Sequence, residues 1–432
     1  MKKKALSIVI AAILGLSLLL SACASAPEPT EVVVVEPTDV PEPTDVPEPT
    51  EVPELPKIVI WADETRSPII EEVAALYAEV LGIEVEVVQL GFGDIRDQIK
   101  VAGPAGEGPD IFIGAHDWLG ELVANGLVAE VNLGAKADSF FGPGVDAFTY
   151  DGVLYGMPYA SENIAFFCNP DLLEEYSVAR PETWDDVTAM SETIITASGG
   201  EVAGWTIQSN DPYHMLPLVS AYGGYIFGWT DAGYDAQDVG LDSEGGIAAA
   251  NWLADMSTAG YVEAGVDYDV MHTLFEQGQV ACIGTGPWAL SRIRESGVAY
   301  EISAYPAGDA TNGRPFLGVQ GFMVSAFSEN QLLAQTLLQE VVATDEFMQA
   351  FFDIDPRPSA WMPVREATAD LDLAAFASAG SAGMPMPAIP EMSAVWSAAG
   401  NAEELIISGE LGGEEAFMDA AEQIRTAIAE GN

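Results

Sequence analysis

Two periods of apolar residues alternate along the chain, and their order predicts the fold. Residues 57–61 form a short apolar run and residues 83–87 alternate between apolar and charged, so both are predicted strands. Between them, residues 68–81 carry apolar positions at helical spacing, Val80 among them, and Gly82 ends this predicted helix. Strand, helix and strand in succession favour a mostly parallel sheet with helices on both faces.

The same alternation continues through the rest of the chain. The pattern predicts helices at 93–102, from Asp117 to about Gly126, after Asn169-Pro170-Asp171, from Thr183, and from Asp242 through Met256. It predicts strands or extended chain at 110–114, 154–167 and 280–283. The sequence therefore indicates an α/β protein that is long enough for two lobes with separate cores.

The first 22 residues have a different pattern. Three lysines precede a nearly unbroken apolar run, and Leu20-Ser21-Ala22-Cys23 follows it, which is typical of a secretory signal. This ending resembles a bacterial lipobox and implies a lipid on Cys23 that holds an exported protein at the outer face of a membrane. The alternative is a transmembrane helix, for which the run is slightly short.

Residues 23–56 form a predicted linker after the signal. They are mostly Pro, Glu, Thr, Val and Asp, with Glu-Pro-Thr-Asp-Val-Pro recurring almost unchanged. Regular proline prevents helix formation and like charges repel each other, so we expect an extended spacer between membrane and globular body.

The charge of the chain excludes one class of partner. Fifteen basic residues face 67 acidic ones, for a net charge of −52. A field of this sign argues against nucleic-acid binding.

Cysteines and histidines offer no recognisable metal motif. His116, His214 and His272 are scattered, with no CxxC or HExxH context, so we expect neither a metal nor another cofactor. Cys168 and Cys282 each lie in an apolar run typical of a buried strand. Two separate thiols are the favoured interpretation over a disulfide, which only their distance can decide.

Several motifs, in order, resemble the maltose/maltodextrin-binding proteins of bacterial ABC importers (extracellular solute-binding protein family 1). The similarity extends over essentially the whole chain after the linker, and its specificity comes from the ordered sum of the motifs. They are Ile58-Val59-Ile60-Trp61, Gly108-Pro109-Asp110-Ile111-Phe112, Ala115-His116-Asp117, Gly126-Leu127-Val128-Ala129-Glu130, Asn169-Pro170-Asp171-Leu172-Leu173, Asp211-Pro212-Tyr213, Gly223-Gly224-Tyr225, Asp238-Val239-Gly240, Gly286-Pro287-Trp288-Ala289 and Ile389-Pro390-Glu391-Met392-Ser393-Ala394.

The resemblance implies a two-lobed periplasmic-binding-protein-like fold of type II, each lobe a mixed, mostly parallel sheet flanked by helices. The N-terminal lobe is expected at 57–160 plus 321–367, and the C-terminal lobe at 165–316 plus 368–432. The ligand would bind between the lobes, which close by a hinge motion and then dock on membrane permease subunits of an ABC transporter. We expect a monomer that is not an enzyme.

Sugars present apolar ring faces and hydroxyl rims, so a sugar site needs aromatic platforms and hydrogen-bond acceptors. The resemblance implies a platform of Trp288 and Trp396 with Tyr213. It implies hydroxyl acceptors at Asp117, Glu162 and Asp211, the last replacing the family's glutamate. The full candidate set is Arg66, Asp117, Trp118, Glu162, Asp211, Tyr213, Trp288, Met386 and Trp396.

Some positions depart from the family pattern. The family has an aromatic residue where this chain has Gly114, and an arginine where it has Trp118. These two changes could preserve one stacking surface in a displaced position. The family pairs an aspartate with a lysine in the loop after the first strand. A length change makes the alignment loose there, and Arg66 or Glu64 is expected to stand in. Gly400 replaces an arginine expected after Trp396. The resemblance therefore indicates an oligosaccharide ligand, and maltose or maltodextrin is the favoured one.

Two other classes remain as alternatives. Paired carboxylates near aromatics also occur in glycoside hydrolases, which need one acid with a raised pKa and a second acid at a fixed separation. The same fold could also bind another sugar or a non-sugar such as a peptide, a polyamine or a phosphate ester. The negative charge disfavours anions, while an acidic aromatic cleft could accept a cation.

Overall fold

Two β-sheets organise the residues described by the computed structural model, which are 55–230, 233–368 and 370–431, without the side chains of 74–79. The predicted signal peptide, Cys23 and linker residues 24–54 lie outside these residues. The fourteen strands found there are β1 Lys57–Ala62, β2 Glu84–Gln89, β3 Ile111–Ala115, β4 Thr149–Tyr150, β5 Val153–Leu154, β6 Gly156–Glu162, β7 Ala165–Cys168, β8 Ala203–Thr206, β9 Phe227–Thr230, β10 Gly233–Val239, β11 Val280–Thr285, β12 Glu301–Ser303, β13 Phe316–Val324 and β14 Met384–Pro385.

The larger sheet has six strands in the order β14-β13-β3-β1-β2, with β6 also paired to β13. Strand β1 is parallel to β2 and β3, whereas β13 is antiparallel to β3 and β6. Every second residue of β1, beginning at Ile58, is buried in the core beneath this sheet. Trp61 is buried on the opposite face, so β1 is covered on both sides, as expected for a short unbroken apolar run.

The smaller sheet has four strands in the order β12-β7-β11-β8, and the remaining strands form two separate two-stranded sheets, β4-β5 and β9-β10. Two of its three pairings are antiparallel and only β11–β8 is parallel, so this sheet departs from the mostly parallel expectation. The chain enters it directly after β6 and returns to the larger sheet at β13, after β12. The mixed α/β, two-lobed fold is confirmed, while the exact lobe boundaries stay a prediction.

Sixteen α-helices surround the sheets in the described residues. Helix α1 packs against β2 and α6 against β8, while α8, α15 and α16 pack on one another. Their bounds are α1 Ser67–Leu81, α2 Phe92–Ala105, α3 Leu119–Ala124, α4 Gly142–Ala147, α5 Pro170–Glu175, α6 Trp184–Ser198, α7 Pro212–Ala221, α8 Glu244–Thr258, α9 Tyr268–Glu276, α10 Leu290–Ser296, α11 Gln331–Leu337, α12 Asp345–Ile354, α13 Met362–Ala367, α14 Leu371–Ala379, α15 Ser393–Ile407 and α16 Gly413–Glu430.

Local sequence signals set several helix starts. Thr183 caps α6 in a reciprocal capping box with Asp186, and Asn169 caps α5 by accepting two backbone N–H groups. The predicted helix at 242–256 begins slightly later, because Ser243 is the capping residue. The apolar spacing of the first helix predicted that Val80 faces the core. This prediction is wrong, since Val80 in the last turn is exposed.

Cys168 and Cys282 form a disulfide, so the interpretation as two separate thiols is wrong. Both lie in buried strands, as expected, but the two strands are neighbours in the smaller sheet and pair antiparallel. The register places the two cysteines directly opposite each other. This register depends on long-range pairing and cannot be read from the two local patterns.

No helix in the described parts of the chain is long and apolar enough to span a membrane.

Candidate functional site

A cavity of about 420 Å³ lies where the loops after β1 and β3 meet the N-terminal ends of α7 and α15. We call it the cleft. All nine candidate residues line it: Arg66, Asp117, Trp118, Glu162, Asp211, Tyr213, Trp288, Met386 and Trp396. Residues from distant parts of the sequence are thus gathered at one place. Their role in binding stays a prediction.

Aromatic rings cluster on one side of the cleft. The Trp288 ring lies 6.2 Å from that of Tyr213 and 6.1 Å from that of His214, centroid to centroid. Trp288 and Trp396 are partly exposed, which leaves ring surface free for a ligand. Flat, partly exposed aromatic rings are suited to contact with the C–H face of a sugar.

Two glycines make room for two of these tryptophans. A β-carbon at Gly286 would collide with the ring of Trp288, and one at Gly114 would collide with the ring of Trp118. Trp118 is only 3% exposed and packs 4.7 Å from Phe92. Its ring therefore occupies the space that a side chain at position 114 would fill, which supports the suggested exchange of one aromatic residue for another.

Asp117 is the cleft acid with the most unusual surroundings. Its side chain is 3% exposed, and neither carboxylate oxygen has a hydrogen-bond partner. Burial raises the pKa of Asp117 to about 7, against weaker opposing effects of the Arg96 charge, its own backbone N–H and the nearby Trp396 side chain. A buried acceptor without a partner is costly, so a ligand that donates hydrogen bonds here would relieve that cost.

Glu162 is held by two polar neighbours. Its Oε1 accepts a hydrogen bond of 2.7 Å from Gln320, and its Oε2 forms an ion pair of 2.8 Å with Arg357. The same Arg357 donates to the Thr65 hydroxyl at 3.0 Å and lies 5.8 Å from the centre of the Trp288 ring. The carboxylate is thus fixed in orientation, with lone pairs remaining for a further donor.

Arg66 is less available than expected. It is 4% exposed, forms an ion pair with Asp63, donates to the Tyr159 hydroxyl and stacks 5.1 Å from Phe92. Glu64 also lines the cleft. Arg66 consequently holds the loop after β1 in place as well as lining the cleft.

Asp211 caps helix α7. Its Oδ1 accepts the backbone N–H groups of Tyr213 at 2.9 Å and His214 at 3.3 Å. Its Oδ2 lies 2.8 Å from both Gln208 Nε2 and His214 Nδ1. Burial alone would raise the pKa of Asp211, but its interactions with His214 and the backbone donors lower it overall. The protein itself therefore uses the acceptor capacity of this carboxylate.

Sequence reasoning missed several residues that line the cleft. They are polar or aromatic, and none lies in a motif that would have identified it: Phe92, Arg96, Gln208, Asn210, His214, Tyr268, Gln320 and Arg357. Asn210 has one local explanation. A β-carbon at Gly400 of α15 would collide with the Asn210 side chain. Asn210 therefore fills the space beside the position where an arginine was expected.

A second cavity of about 1030 Å³ adjoins the cleft and shares Glu162, Gly318 and Met386 with it. Although it is larger, it contains none of the four candidate tryptophan and tyrosine rings. The smaller cleft is therefore the candidate site. No group of three metal-binding side chains occurs in the described residues.

The fold and cleft define a class of protein, a two-lobed binding protein whose candidate ligand site is aromatic and acidic. The sequence profile of the bacterial extracellular solute-binding protein family matches residues 72–376, so the chain belongs to this family. Membership in a family of extracellular proteins makes this an exported protein of the solute-binding class.

Curated relatives align along most of their length. The chain is similar to a galactooligosaccharide-binding protein of Bacillus subtilis, with 28% identity over 86% of this chain and 89% of the relative. It is similar to the maltodextrin-binding protein MdxE of the same bacterium, with 26% identity over 86% and 90%. A maltooligosaccharide ABC transporter solute-binding lipoprotein of Streptococcus pneumoniae has 26% identity over 86% and 89%. These relatives are named as binding proteins and not as enzymes.

Proposed function

We propose that this protein captures an oligosaccharide between two closing lobes and delivers it to an ABC transporter permease. Maltose or maltodextrin is the favoured ligand. The observation that carries the proposal is the gathering of Trp288, Trp396 and Tyr213 with the unpartnered acceptor Asp117 in one cleft. The relatives support a saccharide ligand, and their names include both α-glucans and galactooligosaccharides.

Binding begins on the aromatic side of the cleft. A sugar ring stacks on Trp288, whose loop follows strand β11 of the smaller sheet. Closure then brings Asp117 and its neighbours, which follow strand β3 of the larger sheet, onto the hydroxyl rim. Because these contacts exist only in the closed state, the sugar shifts the equilibrium towards closure by the difference in its affinity for the two states.

Attachment to the membrane is the second part of the proposal. The lipobox-like sequence around Cys23 and the charged linker would tether the body near its permease. A lipoprotein among the relatives supports this arrangement.

A glycoside hydrolase is the second candidate, because one observation favours it. A carboxyl with a pKa of about 7, as at Asp117, is suited to act as a general acid, and Glu162 is a second acid in the same cleft. A binding protein needs no such proton donor. We favour binding, since Glu162 is already paired with Arg357.

The test is calorimetric titration of the full-length protein in mild detergent with maltose, maltotriose, β-1,4-galactobiose, trehalose, cellobiose and xylobiose. We expect saturable binding of at least one α-glucan and an unchanged sugar after prolonged incubation. Binding of galactobiose alone would indicate that the ligand is a galactooligosaccharide and not an α-glucan. Sugar cleavage would favour the hydrolase, and no binding across the panel would contradict the proposal.

A further inference from the structure

One of the three histidines differs from the other two in its bonding. His116 accepts the Val319 N–H at Nδ1, at 3.1 Å, and contacts the Met386 carbonyl with Nε2, at 3.2 Å. His272 contacts the Tyr268 carbonyl with Nδ1, at 2.7 Å, and the Thr285 hydroxyl with Nε2, at 2.8 Å. Both rings are thus fully satisfied by the protein, as buried polar groups normally are.

His214 has only one of its two ring nitrogens bonded. The side chain is 6% exposed and lines the cleft, with Nδ1 at 2.8 Å from Asp211 Oδ2. Its Nε2 is buried and has no hydrogen-bond partner. An unpaired buried nitrogen is costly unless a ligand supplies the missing partner.

The position of the ring within the site is also suited to a ligand. Its plane is nearly perpendicular to that of Trp288, with 6.1 Å between the centroids. The neighbouring Tyr213 ring is 5.7 Å away, and its hydroxyl is likewise buried without a partner. One acceptor and one donor thus lie together beside the aromatic platform, which matches the double character of a sugar hydroxyl.

Asp211 determines which ring nitrogen of His214 can accept a hydrogen bond. As an ionised carboxylate it can only accept hydrogen bonds, so the proton of a neutral His214 ring must be on Nδ1. That assignment leaves a lone pair on Nε2. We propose that His214 Nε2 accepts a hydrogen bond from a hydroxyl of the bound sugar, and that Asp211 is a positioning residue that acts through His214. The inference depends on the proposed sugar-binding function.

Two substitutions test this assignment. His214→Phe keeps a ring beside Trp288 but removes the acceptor, and we expect affinity for maltotriose, or for galactobiose if that is the sugar bound, to fall roughly tenfold or more. Asp211→Asn retains a helix cap but presents an amide that can donate to Nδ1, which favours the tautomer with Nε2 protonated. We expect a similar loss from this second variant.

Matched controls separate ligand contact from folding. His272→Gln alters a buried histidine that does not line the cleft, and its affinity should stay within about twofold of wild type. Thermal unfolding of each variant shows whether the protein is folded under the titration conditions. If His214→Phe is unfolded, Asp211→Asn supplies the answer.

A series of monodeoxy sugars gives the most specific readout. In wild type, removal of the hydroxyl that donates to His214 should weaken binding, whereas the same removal should have little effect in His214→Phe. Equal losses in both proteins, or unchanged affinity in folded His214→Phe, would overturn the inference while leaving sugar binding intact. A wild-type protein that binds no sugar would instead overturn the proposed function and this inference with it.

Discussion

Asp117→Asn should stabilise the folded protein while weakening its sugar binding. The carboxyl is buried and neither of its oxygens has a partner. Such a group disfavours ionisation in the folded state, and burial raises its pKa from 3.8 to about 7. An asparagine carries no charge at any pH and so avoids this cost.

The size and sign of the effect of Asp117 on the free energy of unfolding follow from proton linkage. Between about pH 4 and pH 7 the folded protein retains a proton on Asp117 that the unfolded chain releases, so the stability of wild type falls as pH rises. Each pKa unit corresponds to about 1.4 kcal/mol, which gives a penalty of roughly 4 kcal/mol above pH 7. This penalty is absent below about pH 4, where both states are protonated.

Urea unfolding at pH 4, 6 and 8 measures the effect. We expect the stability gain of Asp117→Asn over wild type to grow with pH, by up to about 4 kcal/mol. Asp309→Asn, at an exposed aspartate, controls for the loss of one negative charge. A difference between Asp117→Asn and wild type that does not change with pH would refute the argument from burial.

Three further predictions concern the platform and the fold. Trp288→Ala should weaken sugar binding roughly tenfold or more through lost stacking area, with the unfolding midpoint little changed, and unchanged affinity in calorimetry would contradict this. Replacing both Cys168 and Cys282 by alanine opens a link across 114 residues and should lower stability by about 5 kcal/mol in urea unfolding; equal midpoints for both forms would contradict the estimate. Gly114→Leu should displace the Trp118 ring, weakening sugar binding and quenching or shifting tryptophan fluorescence, and an unaltered spectrum with unaltered affinity would refute the packing explanation.

The fold was predictable where short-range periodicity determines structure. A short apolar run located β1, alternation of apolar and charged residues located β2, and helical spacing with a glycine stop located α1. The disulfide was not predictable in this way. It depends on the register between β7 and β11, which are far apart in sequence and paired by the tertiary fold.

The candidate site shows the same division. The ordered motifs predicted that Trp288 and Asp117 line one cleft, because the family that they resemble places these motif positions there. Both residues do line the same cavity. The capping role of Asp211 was missed, because a carboxylate can accept from its own helix or from a ligand and the sequence does not distinguish these partners. Arg357 was missed because its partners Glu162 and Thr65 come from segments that meet it only in the folded protein. His214 lies next to the Asp211-Pro212-Tyr213 motif, but its place beside Trp288 depends on the tertiary fold.

The most direct test of the account is a crystal structure of residues 57–432 grown with the sugar of the panel that binds most tightly. We predict a sugar ring against Trp288, with hydroxyl groups within hydrogen-bonding distance of Asp117 and of His214 Nε2. Sugar bound elsewhere, for example in the larger adjoining cavity, with the cleft empty, would contradict it.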